Sequence, residues 1–210
     1  MVDRKRLKTP NGLILGTPGS GKSFATKREI LNVFLITDDD IIICDPEGEF
    51  GALVKALGRE KATVAHLVAG GKDRLNAMYM VDGYGENNPI VVKSQFIMSL
   101  VERIDPKGVG AKQKSIIDRC TASVYRDYQQ RGYTGTVPTL QDFRAELLKQ
   151  DEPEAKEIAL AIELFTHGSL NTFAKPTNVD TDNRLICYDI LDLGKQLMPI
   201  GMLVVLDSIL

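Results

Sequence analysis

Residues 16–23 read GTPGSGKS. Three glycines and little side-chain bulk mark a loop, and its spacing is defined. Gly16, four residues, Gly21, Lys22 and Ser23 follow the G-x-x-x-x-G-K-[ST] pattern of a phosphate-binding loop. That pattern needs a strand before it and a helix after it. The apolar run Gly12-Leu13-Ile14-Leu15 predicts the strand. The run from Lys22 to about Leu35 predicts the helix, with Phe24, Ile30, Leu31 and Phe34 among its apolar positions. A polar turn, TDDD at 37–40, leads to a second β-branched run, Ile41-Ile42-Ile43-Cys44. Strand, helix and strand in so short a span predict a βαβ unit with parallel strands. Neither strand alternates, as expected where both faces are covered. The fold class is α/β, a P-loop NTPase with a mostly parallel sheet.

The loop's chemistry follows from its residues. Gly16, Gly19 and Gly21 let the backbone curl until successive N–H groups point inward at phosphate oxygens. The helix N-terminus adds partial positive charge. Lys22 places an ammonium on the terminal phosphates, and Ser23 offers a hydroxyl to Mg²⁺. The candidate nucleotide-binding residues are Thr17, Pro18, Gly19, Ser20, Gly21, Lys22, Ser23 and Phe24. The loop does not distinguish ATP from GTP. The guanine-reading N-K-x-D signal is absent, which tilts the choice to ATP.

Hydrolysis needs an acid on Mg²⁺ and a residue that orients water. In many P-loop ATPases these are adjacent Asp and Glu at a strand end, and no apolar run in this chain ends in Asp-Glu. Three runs end in Asp alone: Asp45 (IIICD), Asp189 (LICYD) and Asp207 (LVVLD). Asp45 is the best placed, because its strand follows the P-loop helix and ligands sit beyond the carboxyl ends of such strands. Glu47 and Glu49 add two carboxylates there, beside the reading of an acidic turn that leads into a helix. For Asp207, a helix starting near Pro199 fits better than a strand.

The chain has 210 residues, 43% hydrophobic and 26% charged, an ordinary globular composition. A net charge of −2 gives no sign of nucleic acid as a primary partner. Cys44, Cys120 and Cys187 are far apart and read as buried, reduced thiols of a cytosolic protein. His66 and His167 are isolated, so zinc has no spacing to support it. The basic N-terminus, MVDRKRLKTP, reads as a solvated lead-in, and no run approaches the length of a membrane span.

Three zones follow: 1–89, the first part of the α/β core; 90–170, an inserted helical lobe; and 171–210, the second part of the core. Thr63–Val68 predicts a further strand in the first. GYGENNP at 83–89 is loop chemistry. In the lobe, Ile97, Leu100, Val101 and Ile104 share a helical face, as do Ile117, Cys120, Val124 and Tyr128. Thr139 and Asp142 stand at capping distance ahead of Leu140, Phe143 and Leu147. Pro153 begins a fourth helix with Ile158, Ile162 and Phe165. Arg184 to Ile190 predicts a strand, and Met198 to Leu210 is an apolar run containing Gly201.

Four blocks in this order carry a resemblance: GLILGTPGSGKSF, IIICDPEGEF, DRLNAMYM and ELFTHGSLNTFAKPTNVDTDNRLICYDILDLGKQL. Together they resemble the larger VirB-type ATPase of conjugal transfer and type IV secretion, rather than the VirD-type coupling protein. The resemblance implies a RecA-like ATPase domain using ATP and Mg²⁺. It also implies ring assembly with other subunits, a hexamer in the full-length protein, and contact with secretion-channel components. The location it implies is cytoplasmic, at the inner face of the membrane. Lys22 and Ser23 match the family's phosphate and magnesium residues, and Asp45 and Glu47 its second-strand acidic motif, with Asp45 toward metal and Glu47 toward catalysis. The family's separate N-terminal domain is missing, and its Asp-Glu strand would fall beyond Leu210. The chain therefore reads as a piece of the ATPase domain, monomeric as a fragment and weakly active or inactive. DRLNAMYM also lacks the proline expected after Asn76. The alternatives are a P-loop phosphotransferase with a helical lid, and a non-catalytic nucleotide-binding interaction module.

Overall fold

Thr37 ends the first helix by turning its backbone extended, φ −119 and ψ 168, while its N–H still donates to Val33 O. That helix, α1 (Lys22–Ile36), belongs to the first of two compact units, residues 1–41 and 42–210. The computed structural model describes residues 8, 11–58, 60–85 and 88–209. The basic lead-in, residues 1–10, lies almost wholly outside that set, as do 86 and 87 of the 83–89 loop. The expected strand at 12–15 is not formed, and Leu13 and Leu15 are each 81% exposed. A strand exists through a neighbour's hydrogen bonds, and among the described residues none pairs with this run. The expected βαβ unit is thus realised only in its helix and second strand.

The second unit is built on β1 (Ile41–Asp45), β2 (Ala62–His66) and β3 (Leu185–Asp189). The sheet order is β1-β3-β2. β2 and β3 run parallel, in register from Ala62 opposite Leu185 to His66 opposite Asp189. The central strand buries Leu185, Ile186, Cys187 and Tyr188, the continuous apolar run of a strand covered on both faces. A short helix, α2 (Gly51–Ala56), packs against β2 and β3.

From Pro89 to Thr166 the described residues are helical, with no strand: α3 (Pro89–Ile104), α4 (Ala111–Gln130), α5 (Leu140–Leu148), α6 (Pro153–Ala161) and α7 (Glu163–Thr166). Pro89 opens α3 at the position where a missing N–H costs nothing. Ile97, Leu100 and Val101 are its buried stripe. Thr139 and Asp142 form a capping box. The Thr139 N–H donates to Asp142 Oδ2 at 2.7 Å, and the Asp142 N–H donates to Thr139 Oγ1 at 3.4 Å. The helix opened by Pro153 stops at Ile162, so Phe165 falls on α7.

The final helix, α8 (Gly194–Asp207), starts five residues before Pro199 and carries that proline inside. Gly201 has a packing reason: a Cβ there would collide with Leu193 and stand 3.3 Å from Phe173. Asp207 ends a helix and not a strand, so it is no strand-end magnesium acid. Among the described residues no helix is long and apolar enough to cross a membrane.

One segment has no regular structure, yet Leu75 to Met78 and Met80 are buried. Side chains pair its backbone. Tyr125 OH donates to Met78 O at 2.6 Å, Tyr128 OH to Met80 O at 3.0 Å, and Lys93 Nζ to Tyr79 O at 2.8 Å. From the far side of the chain, Ala77 N–H donates to Phe173 O, Asn76 N–H to Thr177 Oγ1, and Arg74 N–H to Asn178 Oδ1. Asn76 Nδ2 reaches Pro138 O at 2.8 Å.

Lys93 also meets Asp207 Oδ2 at 2.5 Å, which ties α3 to α8. Tyr84 OH donates to the other oxygen of Asp207, and its ring lies 4.2 Å from Lys93 Nζ. Burial pushes the Asp207 carboxyl up and the Lys93 ammonium down, each resisting its charge. Removing one partner strands the other. Lys93→Met should lose about 3–5 kcal/mol in urea unfolding, and Lys93→Met with Asp207→Leu should recover most of it. Equal stability of Lys93→Met and wild type would show that the pair is not held charged.

Candidate functional site

The phosphate-binding pattern folds as a tight loop. Gly19 and Gly21 have φ 79 and 85, in the left-handed region that side chains avoid. Gly16 has a steric reason as well, because a Cβ there would strike Ser20 Oγ. Ser20 N–H donates to Thr17 O at 3.1 Å, closing the turn. The Lys22 ammonium folds back over the loop and donates to Gly16 O at 2.8 Å and Thr17 O at 3.0 Å.

Gly21 is the N-cap of α1, and no side chain caps it. The first helical bond inside α1 runs from Ala25 N–H to Gly21 O. Among the described residues, the N–H groups of Lys22, Ser23 and Phe24 make no hydrogen bond. Those are the orphan donors of a helix start, where the helix dipole favours negative charge. Three N–H groups, an ammonium and the Ser23 hydroxyl form a donor set for phosphate oxygens, with no carboxylate in the loop. The hydroxyl also suits a hard cation such as Mg²⁺. Thr17, Pro18 and Ser20 lie exposed along the loop, and Phe24 is 74% exposed.

Several acidic residues of the second unit gather at the carboxyl edge of its sheet. Asp45 is buried at the end of β1, and its side chain is committed to the chain itself. Oδ1 accepts from Glu49 N–H at 3.1 Å and Oδ2 from Phe50 N–H at 2.8 Å. It therefore shapes the Pro46–Glu49 turn. Glu47 and Glu49 on that turn are exposed. Asp189, at the end of β3, lies beside His66 at the end of β2, with Oδ2 at 3.1 Å from His66 Nδ1. His66 Nε2 is 3.3 Å from Asp192.

Reading the sequence missed His66, because its partners are 123 and 126 positions away and only strand register brings them together. It missed Lys93 because its partner Asp207 lies 114 positions away on another helix. The three thiols are free. Burial pushes Cys120 up to about 11 and Cys187 up to about 12, which leaves them protonated and inert. Among the described residues no group of three or more His, Cys, Asp or Glu side chains is arranged to hold a metal ion.

These features have counterparts in known proteins. No curated protein matches the sequence. Among solved structures, that of VirB4 from Thermoanaerobacter pseudethanolicus superposes with a TM-score of 0.77 over 100% of this chain, at 20% identity. The chain spans 57% of the length of that protein. At this identity the likeness is one of fold, and it bears out the α/β P-loop architecture. The family model described as "Helicase HerA, central domain" matches residues 2–203. A match over nearly the whole chain establishes that the protein belongs to the HerA helicase central-domain family of P-loop ATPases.

Proposed function

We propose that this chain is the nucleotide-binding part of a motor ATPase that powers DNA or protein transfer in conjugation or type IV secretion, with ATP and Mg²⁺ as its ligands. The observation that carries the reading is the loop Gly16–Ser23, closed by Lys22 and opening onto an uncapped helix. The VirB4 fold match and the blocks that resemble the VirB-type ATPase support the transfer role. Other subunits of a ring and secretion-channel components are its proposed partners, at the cytoplasmic face of the membrane.

In this reading the N–H groups of Gly19 to Ser23 bind phosphate oxygens. Lys22 exchanges its two carbonyl acceptors for a phosphate, a charge-assisted contact. Ser23 would hold Mg²⁺, which neutralises charge on the phosphates when bound. Asp45, its oxygens taken by backbone N–H groups, fixes the turn that presents Glu47, and Glu47 orients water. Residues 90–170 form an inserted lobe. Two of the lobe's arginines are spent on its own glutamates, Arg119 on Glu152 and Arg144 on Glu163, which leaves them unsuited to the cationic lid of a small-molecule kinase.

Lys22→Ala should weaken Mg²⁺–ATP binding tenfold or more in calorimetric titration, from loss of a contact of about 1.5–3 kcal/mol. The fold should survive, because the side chain bonds only loop carbonyls. Equal affinity in the variant and wild type would overturn the reading of the loop. Steady-state phosphate release tests the chemistry. With no apolar run ending in Asp-Glu among its 210 residues, the chain should turn over slowly, short by roughly 10²–10⁴. Glu47→Gln should remove what remains while leaving binding unchanged. Residual turnover unaffected by Glu47→Gln would exclude that residue.

A further inference from the structure

We propose that His66 is a positioning residue for the acidic turn Pro46–Glu49, acting through Asp189 and Leu191. The inference rests on the reading above, in which Glu47 acts on bound ATP. Glu47 is exposed, so its aim depends on the backbone that carries it. Asp45 holds one side of that backbone, at Glu49 and Phe50. The other side passes through Gly48, whose φ is 67.

Gly48 lies against the end of β3. A Cβ there would stand 3.0 Å from Leu191 Cδ2 and 3.8 Å from Asp189 Oδ1. Leu191 begins a 3-10 turn (Leu191–Leu193), and its N–H donates to Asp189 Oδ1 at 3.2 Å. The other oxygen of Asp189 faces His66 Nδ1 at 3.1 Å. His66 and Asp189 are register partners, so the contact is built into the sheet. The path runs from His66 to Asp189, to Leu191 and then to Gly48.

Three carboxylates converge on this one histidine. Asp73 accepts from its backbone N–H at 2.8 Å, Asp189 faces Nδ1 and Asp192 faces Nε2. Carboxylate oxygens only accept, so a ring facing two of them is satisfied on both sides when both nitrogens donate. Glu47 and Glu49 add negative charge on the neighbouring turn. The imidazole therefore bridges Asp189 and Asp192, and through Asp189 it supports the carboxylate oxygen that starts the 3-10 turn.

Amide hydrogen exchange on this chain tests the proposal. His66→Ala should speed exchange at Leu191, Glu49 and Phe50 roughly three- to fivefold, as expected for loss of a partly exposed side-chain hydrogen bond. Rates in α4 and β3, and Mg²⁺–ATP affinity by calorimetry, should not change. His66→Arg keeps donors for both carboxylates and should restore the wild-type rates. Unchanged rates at those three amides, a rise spread evenly over the protein, or no rescue by arginine would each overturn the proposal. Failure of the nucleotide-binding reading would appear instead in Lys22→Ala, which leaves this exchange pattern untouched.

Discussion

A stretch of backbone buried without helix or strand must find a partner for each of its polar groups, and the second unit is organised around one such stretch. Residues 75–80 run through the core as irregular chain. An unpaired amide there would cost a few kcal/mol, so partners are drawn from everywhere. α4 sends two tyrosines, α3 sends a lysine, and the segment before β3 sends a carbonyl and two side chains. The helical span and the sheet thus meet across a shared set of hydrogen bonds as well as an apolar seam. Such bonds are directional, which sets orientation as apolar contact alone would not.

The charged groups fall into two populations. Most ion pairs of the helices lie at the surface, among them Lys112 with Glu154 and Lys149 with Glu146, where water screens them and their worth is small. Lys93 and Asp207 are the opposite case, enclosed and bonded on several sides. The carboxyl edge of the sheet lies between these extremes: half-exposed, rich in acids and bridged by one histidine. Parallel sheets place ligands at that edge, and here the edge has a built architecture. Asp45 and Asp189 each spend oxygens on backbone N–H groups, and that leaves the glutamates of the turn free to face outward.

What the sequence made legible was local. The loop at 16–23 follows from adjacent residue types, and so does the Thr139–Asp142 box, because each is closed within a few positions of itself. Helix extents followed from apolar spacing to within a few residues. Pairing over long separations was not legible. Leu13 and Leu15 have strand composition without a paired neighbour, so composition alone misled. Asp207 sat after an apolar run that read better as helix than as strand, but its partner Lys93 was 114 positions away. Residues 76–80 gave no sign of their burial, since nothing nearby hints that Tyr125 and Tyr128 will cover them.

The tyrosines that line the core also decide what light reports about this protein. It has six tyrosines and no tryptophan, so its near-ultraviolet spectrum is a tyrosine spectrum. Tyr84, Tyr125, Tyr128 and Tyr188 are buried, and burial pushes each phenol upward. Only Tyr79 and Tyr133 stand toward water. Phenolate absorbance from the buried four in base therefore comes late, as the interior opens. A spectrophotometer following it watches the bonds around residues 75–80 come apart, with no label attached.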